Sequence, residues 1–280
     1  MAKQFLSIRM AAVNLLQKRH YRNFSMPKPK FRLFGGPNGS GKTHLFKKFK
    51  RLGYIHTEIY VNADKIEAEL KNKRKFSFNA YRVKVDDESF KQHIVDSGLY
   101  QTKLKDKSFI EHFTIHAGVL RIDQFVTINS YHGSFVATYL AEKLLETKQP
   151  FAFETVMSHI SKVELMRAAR KAGYKIYLYF IFTDTIETNV ARVQLRVLRG
   201  EHAVNEETIK NRAPRTFDLL PAAFKAADSA YIIDNSDEAK AILIKEGHTI
   251  HKARSFPSIV NEPLQKILRA FKGEILEMKK

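Results

Sequence analysis

The segment FRLFGGPNGSGKTHLFKKF, residues 31–49, constrains the fold more than any other part of the chain. It contains the pattern G-x-x-x-x-G-K-[ST], placed after an apolar run and before a helical pattern. In this context glycines let backbone N–H groups converge on an anion, and the helix start adds partial positive charge. The sequence therefore predicts a phosphate-binding loop made of Gly36, Pro37, Asn38, Gly39, Ser40, Gly41, Lys42 and Thr43.

Two side chains of this loop have predicted roles of their own. Lys42 is placed to reach the β- and γ-phosphates of a nucleotide, and the Thr43 hydroxyl is placed to ligate Mg²⁺. We therefore expect ATP and Mg²⁺ as cofactors; the alternative is a chance glycine turn. The chain has no LSGGQ-like segment, no apolar run ending in Asp-Glu and no NKxD motif. Their absence favours a small-molecule kinase over a transporter ATPase or a GTPase.

Strand-like runs alternate with helical patterns along the chain, which predicts an α/β fold with a P-loop NTPase/kinase-like parallel sheet flanked by helices. The predicted strands lie at residues 31–36, 59–64, 151–155, 175–183 and 230–234. We expect three regions: a basic N-terminal helix and linker at 1–30, a P-loop kinase domain at 31–250 and a C-terminal helical tail at 251–280.

Two parts of the predicted domain differ from the rest. Residues 65–128 carry helical patterns and few turn signals, which predicts a helical insertion. Residues 185–220 are rich in arginine, which predicts a lid. Helix breaks are expected at Pro214, within this region, and at Pro221, directly after it.

Three acidic residues follow predicted strands, at the sheet edge where ligands of parallel sheets bind. Asp64 is the candidate base that takes the proton from an attacking hydroxyl, and Glu154 the candidate ligand of the acceptor or of a metal-bound water. The alternatives are a helix N-cap for Asp64 and a lysine-paired strand end for Glu154. For Asp184 we favour a capping role, by Thr183 or Asp184, for the helix that follows.

Arginines repeat on one face of the helix predicted at 185–200. Arg192, Arg196 and Arg199 follow at spacings of four and three. This arrangement suits a clamp on the transferring phosphoryl group. The alternative is a solvated helix face. Arg212 and Arg215 repeat the spacing of three on the next helix.

The charge distribution favours phosphate-bearing partners. The formal net charge is +19, and no Asp or Glu precedes Glu58. A solvated basic face, nucleic-acid binding and the focusing of a small anionic substrate all remain compatible with it. Nucleic acid is the partner that we do not favour, because no zinc finger, RNA-binding sheet motif or heptad basic region is present.

Cysteine is absent, which excludes disulfides, thiolate zinc sites and a cysteine nucleophile. That absence suits a reducing compartment, and we expect a cytoplasmic location. No apolar run reaches the roughly 18 to 20 residues of a membrane helix, so no membrane partner is expected. The N-terminal pattern at 4–19 predicts a basic amphipathic helix and not a signal peptide.

An ordered set of segments resembles the zeta-toxin family: GPNGSGKT, VNAD, FAFETVMSH, NVARVQLRV, RGEHAVNEETIKNRAPRTFDLL and ADSAYIIDNS, over residues 31–236. The resemblance implies a P-loop kinase that uses ATP to phosphorylate a sugar hydroxyl of UDP-N-acetylglucosamine. It also implies an antitoxin protein as a partner. The segment at 65–128 leaves the acceptor open, because its basic, aromatic opening suits a diphosphate sugar, a dinucleotide or a nucleic-acid end.

The same resemblance implies roles for individual positions. Lys42 and Thr43 match phosphate-binding residues, Asp64 matches the catalytic base, and Glu154 with Thr155 matches a substrate-side pair. The phosphate-clamping arginines correspond to Arg192, Arg196 and Arg199. The chain departs from the family's lid pattern with Gly200-Glu201-His202 in place of Gly-Gly-His, and with Val204-Asn205 in place of Val-Pro.

Overall fold

The computed structural model describes residues 27–104, 106–200 and 204–278. The helix predicted at 4–19 and the departures at Glu201 and His202 lie outside the described residues.

The described residues form eleven strands in two sheets. They are β1 (Lys30–Gly35), β2 (Ile59–Asn62), β3 (Lys75–Ser77), β4 (Phe113–His116), β5 (Val119–Ile122), β6 (Phe151–Thr155), β7 (Lys175–Phe182), β8 (Ser229–Asp234), β9 (Lys240–Glu246), β10 (Thr249–Lys252) and β11 (Glu274–Glu277). The main sheet has the order β2-β6-β1-β7-β8-β9-β10-β11, and its first five strands run parallel.

Ten α-helices of the described residues connect and cover these strands. They are α1 (Lys42–Arg51), α2 (Ala63–Lys73), α3 (Asp87–Asp96), α4 (Lys107–Glu111), α5 (Ser130–Glu146), α6 (Ser161–Lys171), α7 (Ile186–Val197), α8 (Glu206–Asp218), α9 (Leu220–Ala226) and α10 (Ser258–Ala270). A 3₁₀ turn at Phe78–Tyr81 and a π-helical turn at Tyr100–Leu104 complete the set.

β1 lies in the middle of the sheet and is buried on both faces. On one face Phe34 packs with Leu45 and Phe46 of α1. On the other face Phe31 and Leu33 belong to the large core that α5 and α6 also fill. Burial on both faces is typical of a parallel sheet covered by crossover helices. The predicted α/β class, with a mostly parallel sheet flanked by helices, is confirmed.

The prediction of a helical insertion at 65–128 is wrong in part. The segment contains α3 and α4, but β3, β5 and β4 form a second, three-stranded antiparallel sheet within it. The turn between β4 and β5 uses Ala117 and Gly118, both at positive φ. Ala at such a position is uncommon, so the sequence lacks the usual Asn-Gly or Asp-Gly signal of a tight hairpin.

Two further predictions need correction. The tail at 251–280 is not purely helical, because β10 and β11 add strands to the main sheet on either side of α10. α8 continues through Pro214, and the chain breaks instead at Leu219. Pro221 lies in the first turn of α9, where its missing N–H has no helical partner to lose.

In the part of the chain that the structure describes, no helix combines the length and the apolar character needed to cross a membrane.

Candidate active site

The loop between β1 and α1 has a backbone that requires glycine at two points. Gly36 has φ +144°, and a Cβ there would lie 1.9 Å from the Ile181 carbonyl oxygen. Gly39 has φ +77°, and its Cβ would lie 2.3 Å from the Asn189 carbonyl oxygen. Because both neighbours are backbone atoms, the loop fits against β7 and α7 only with glycine at these positions.

The loop presents polar groups suited to an anion. Gly41 is the N-cap of α1, and no side chain caps this helix start. The Ser40 hydroxyl, which can donate a hydrogen bond, is buried without a hydrogen-bond partner among the described residues. Buried polar atoms in proteins are nearly always satisfied, so this hydroxyl indicates a missing ligand or solvent. The loop residues therefore fit the phosphates of a nucleotide.

Lys42 lies folded back on this loop. Its Nζ donates to the carbonyl oxygens of Gly36, at 2.9 Å, and Pro37, at 2.8 Å. Burial lowers the pKa of Lys42, and the charges of Glu154 and Asp64 offset part of that shift. The ammonium is thus positioned at the loop by backbone contacts that a phosphate can replace.

Thr43 and Glu154 meet directly across the sheet edge. The Thr43 hydroxyl donates to Glu154, 2.9 Å from each carboxylate oxygen, and the Tyr60 hydroxyl donates to Glu154 Oε2. Burial raises the pKa of Glu154, and the charge of Lys42, the hydrogen bond from Thr43 and the charge of Arg196 oppose this rise. A hydroxyl and a carboxylate in contact form a hard oxygen pair that suits Mg²⁺ and its waters.

Asp64 lies in the first turn of α2, two residues beyond the end of β2. Its alternative role as an N-cap is wrong, because Asn62 caps α2 by accepting from the Lys65 N–H at 3.1 Å. Asp64 is exposed and lines the same cleft as Lys42 and Glu154. Its carboxylate is therefore available to a ligand in that cleft.

Thr155 follows Glu154 and lines the cleft from the end of β6. Its hydroxyl accepts from the Met157 N–H at 3.1 Å. Met157 is buried with φ +61°, a backbone conformation that costs free energy in a non-glycine residue. The Thr155 hydroxyl helps to hold this strained turn beside Glu154.

The three arginines of the predicted lid occupy different environments. Arg192 donates to the carbonyl oxygens of Asn235, at 2.8 Å, and Ser236, at 2.5 Å. Arg196 is half-buried, and its charge acts on the pKa values of both Lys42 and Glu154, which places it near the phosphate loop. Arg199 is exposed, beyond the end of α7. The structure thus brings Arg196 to the site and ties Arg192 to the loop after β8.

That loop also fixes the phosphate loop. The Asn235 side-chain amide donates to the Ser40 carbonyl oxygen at 2.8 Å. Asp184 is not the cap of α7, and neither is Thr183, because Thr185 accepts from the Thr188 N–H. The Asp184 N–H instead donates to Ser236 Oγ at 2.8 Å. Arg192, Asn235 and Ser236 therefore form one support behind the phosphate loop.

A cleft of about 960 Å³ opens in front of these residues, between the sheet edge and helices α3, α5, α6 and α8. Five acidic and five basic side chains of the described residues line it, so the lining is formally neutral in a chain of net charge +19. The acidic ones are Asp64, Asp96, Glu142, Glu154 and Glu164, and the basic ones are Lys42, Lys143, Lys162, Arg212 and Arg215.

Sequence reasoning missed two supporting residues. Asn235 follows a predicted strand in the segment ADSAYIIDNS, so its place at the sheet edge offered a signal. No sequence signal pointed to Tyr60. Its contact with Glu154 depends on the pairing of β2 with β6, where Tyr60 lies opposite Ala152.

No protein-family model matches the chain. An uncharacterized protein of Haemophilus influenzae is 32% identical over 62 residues, which is 22% of this chain and 44% of that protein. The match therefore spans less than half of this curated relative.

Solved structures show a partial likeness. The complex AvrRxo1-ORF1:AvrRxo1-ORF2 with sulphate ions is 13% identical with TM-score 0.48, covering 86% of this chain and 63% of that one. The PezAT chromosomal toxin–antitoxin system of Streptococcus pneumoniae is 12% identical with TM-score 0.41, covering 85% and 78%. A gluconokinase from Sinorhizobium meliloti is 10% identical with TM-score 0.33, covering 90% and 96%. Likeness at this level assigns no activity or partner.

Proposed function

We propose that this protein is an ATP-dependent phosphotransferase that phosphorylates a hydroxyl of a nucleotide sugar such as UDP-N-acetylglucosamine. The observation that carries the proposal is the meeting of Lys42, Thr43, Glu154 and Asp64 at one end of a single cleft. A phosphate loop beside a carboxylate and an open cleft suits transfer to a second substrate. The motif resemblance supplies the sugar nucleotide as the acceptor class.

Each residue has a task that its position supports. Lys42 leaves its two carbonyl partners to hold the transferring phosphate, with the loop glycines and the start of α1 around it. Asp64, exposed in the cleft, accepts the proton of the acceptor hydroxyl. Arg196 adds positive charge where charge develops on the transferring oxygens. Arg192 acts indirectly, by holding Asn235 against the phosphate loop.

Thr43 and Glu154 are the residues that would hold Mg²⁺. When bound, the metal supplies charge neutralisation on the phosphate oxygens. The hydrogen bond between Thr43 and Glu154 shows that their oxygens lie together, and the Tyr60 hydroxyl holds the carboxylate in place. The expected Mg²⁺ and ATP thus fit the residues present.

The neutral lining of the cleft favours a small acceptor over a polynucleotide. A polynucleotide channel needs an excess of Lys and Arg along the backbone path, since phosphate neutralisation supplies most of its affinity. Here five acidic side chains balance five basic ones. A nucleoside or a dinucleotide remains the second candidate acceptor, because the cleft is large enough for either.

The test is transfer of label from γ-labelled ATP with Mg²⁺ to UDP-N-acetylglucosamine, NAD, nucleosides or short oligonucleotides, each offered separately. Labelled sugar nucleotide is expected from the wild-type protein. Lys42→Ala and Asp64→Asn should each lower kcat by at least about 100-fold, since one removes charge stabilisation and the other the base.

Matched controls lie on the same helices. Lys47→Ala removes an exposed lysine of α1, and Glu69→Gln removes a carboxylate of α2 that pairs with Lys73 at 3.2 Å. Both should retain activity. Label in another acceptor would show that the substrate is that acceptor and not the sugar nucleotide. Near-normal transfer by Asp64→Asn would show that Asp64 is not the base.

The antitoxin partner is proposed from the motif resemblance. Expression of the wild-type chain alone should then arrest growth, and expression of Lys42→Ala should not. Equal growth with both would remove the toxin role while leaving the kinase proposal open to the transfer assay.

A further inference from the structure

We propose that Lys162, in the first turn of α6, binds a phosphate or diphosphate group of the acceptor, at a subsite of the cleft separate from the phosphate loop. This inference rests on the proposed function, because it assumes an acceptor that carries phosphate. It assigns to the substrate side a residue that the motif resemblance does not include.

Lys162 lines the same cleft as Lys42 but comes from a different element. It is the second residue of α6, and its Nζ lies 5.6 Å from the centre of the Phe153 ring. Phe153 directly precedes Glu154 in β6, and successive side chains of a strand point to opposite faces. Lys162 therefore lies on the face of the sheet opposite to Thr43 and Glu154.

Apart from its cation–π contact with the Phe153 ring, the ammonium of Lys162 has little to stabilise it within the described residues. None of them forms a side-chain hydrogen bond or an ion pair with its Nζ at contact distance. Glu142 is the acidic residue whose charge acts on it, but the Glu142 carboxylate already contacts His93 Nδ1 at 2.9 Å. Burial lowers the pKa of Lys162 to about 8, and Glu142 offsets this only in part.

The helix adds a second cost. A cation in the first turn of a helix opposes the macrodipole, which favours anions there. Residues that lower stability in a cleft commonly have a functional reason. An anionic ligand that pairs with the ammonium lowers both costs, because it supplies the negative charge that the first turn of a helix favours.

Two further cations of the cleft come from α8. Thr216 of α8 donates to the Val156 carbonyl oxygen at 3.0 Å, which fixes α8 against the turn that leads into α6. Arg212 and Arg215 of α8 line the cleft together with Lys162. A phosphate or diphosphate is a ligand class that suits a cleft lined by an ammonium and guanidinium groups.

The test compares Lys162→Gln with Lys171→Gln, which removes the same charge from an exposed position at the far end of α6. With the phosphate loop filled by Mg²⁺ and a non-hydrolysable ATP analogue, pyrophosphate is titrated by calorimetry. We expect wild-type and Lys171→Gln protein to bind it, and Lys162→Gln to bind about 10- to 100-fold more weakly, as for loss of a charge-assisted hydrogen bond. Lys162→Gln should unfold at the same or a higher temperature.

Turnover separates this inference from the proposed function. For UDP-N-acetylglucosamine, Lys162→Gln should raise KM by a similar factor and leave KM for ATP unchanged. Equal pyrophosphate affinity in wild type and Lys162→Gln overturns the inference, and so does a variant that simply unfolds earlier. If Lys162→Gln loses pyrophosphate binding but the wild-type protein does not turn over the sugar nucleotide, the proposed function is overturned and the anion subsite stands.

Discussion

Glu154 is the residue at which the phosphate loop and the rest of the site meet. Its carboxylate accepts from Thr43 on α1 and from Tyr60 on β2, and burial raises its pKa. Tyr60 is itself held by a stacked contact with Phe46, whose ring centre lies 4.1 Å away, and by Lys65 over its ring at 4.8 Å. Tyr60 is thus a fixed hydrogen-bond donor to this carboxylate.

Tyr60→Phe should change the pH dependence of transfer and leave the fold intact. The phenyl ring keeps the stacking, but the carboxylate loses a donor, so the pKa of Glu154 rises further. Because the charged form is needed, the acidic limb of the kcat profile should move to higher pH. The measurement is kcat against pH for wild type, Tyr60→Phe and Tyr54→Phe, an exposed control on the loop after α1.

If the acidic limb of the kcat profile stays in place in Tyr60→Phe, protonation of Glu154 is not what lowers kcat at acidic pH. A uniform loss of kcat at all pH values would indicate a purely structural role for the hydroxyl.

Residues that act through backbone geometry were within reach of sequence reasoning. The glycine spacing predicts the phosphate loop because a positive φ and close backbone contacts tolerate no other residue at Gly36 and Gly39. Tyr60 lay beyond it, because its importance depends on a partner from a distant segment, Glu154.

At the scale of elements, the start of α5 contains a buried histidine. His132 forms a capping box with Asn129, and its Nε2 lies 3.2 Å from Nδ1 of His112 in a stacked pair. Burial, together with the charge of His112, lowers the pKa of His132 to about 4. The folded state therefore holds this ring neutral where an unfolded chain would protonate it.

The free energy of unfolding should fall as pH falls from about 6.5 to about 4. In that window the unfolded chain binds a proton at His132 that the folded chain does not, so the loss approaches about 1.4 kcal/mol per pH unit. Below about pH 4, His132 is protonated in both the folded and the unfolded chain, so its contribution to the free energy of unfolding is fully lost. Denaturant unfolding at several pH values measures this slope. His132→Gln should flatten it, whereas His116→Gln, an exposed control, should not.

If His132→Gln keeps the wild-type slope, acid sensitivity arises from other groups.

Elements with one dominant pattern were predicted well, and those with conflicting signals were not. The strand at 151–155 has the predicted bounds, because its apolar run is bordered by clear breaks. The strands Phe113–His116 and Val119–Ile122 were predicted as helix, since their apolar residues also repeat at spacings of three and four. The turn that makes this segment a hairpin and not a helix has Ala117 at φ +49°. Local propensity does not indicate such a turn at alanine.

For the whole molecule, net charge and local charge differ. The chain carries +19, but the lining of the cleft is formally neutral. Charge at a distance affects encounter with anions and is screened beyond roughly 10 Å in 0.1 M salt. The basic excess is therefore expected to act on the rate of approach and not on the bound acceptor.

KM for the acceptor should depend only weakly on salt between 50 and 200 mM. A small acceptor at one subsite releases few counterions, whereas a protein with 6 to 10 phosphate contacts loses roughly 10³- to 10⁵-fold in affinity over this range. The measurement is KM for UDP-N-acetylglucosamine and for a short oligonucleotide at several salt concentrations. Efficient phosphorylation of the oligonucleotide, with a steep salt dependence, would contradict the small-acceptor assignment.

The central position of β1 also affects how the protein is made. β1 pairs with β6 and β7, and Thr43 and Glu154 are 111 positions apart in the chain. At translation rates of about 5 to 20 residues per second, Glu154 follows Thr43 out of the ribosome by roughly 5 to 20 s. A nascent chain that ends before β7 cannot complete the sheet around its phosphate loop. We therefore expect the proposed phosphotransfer to begin only late in synthesis and to be missing from prematurely terminated chains.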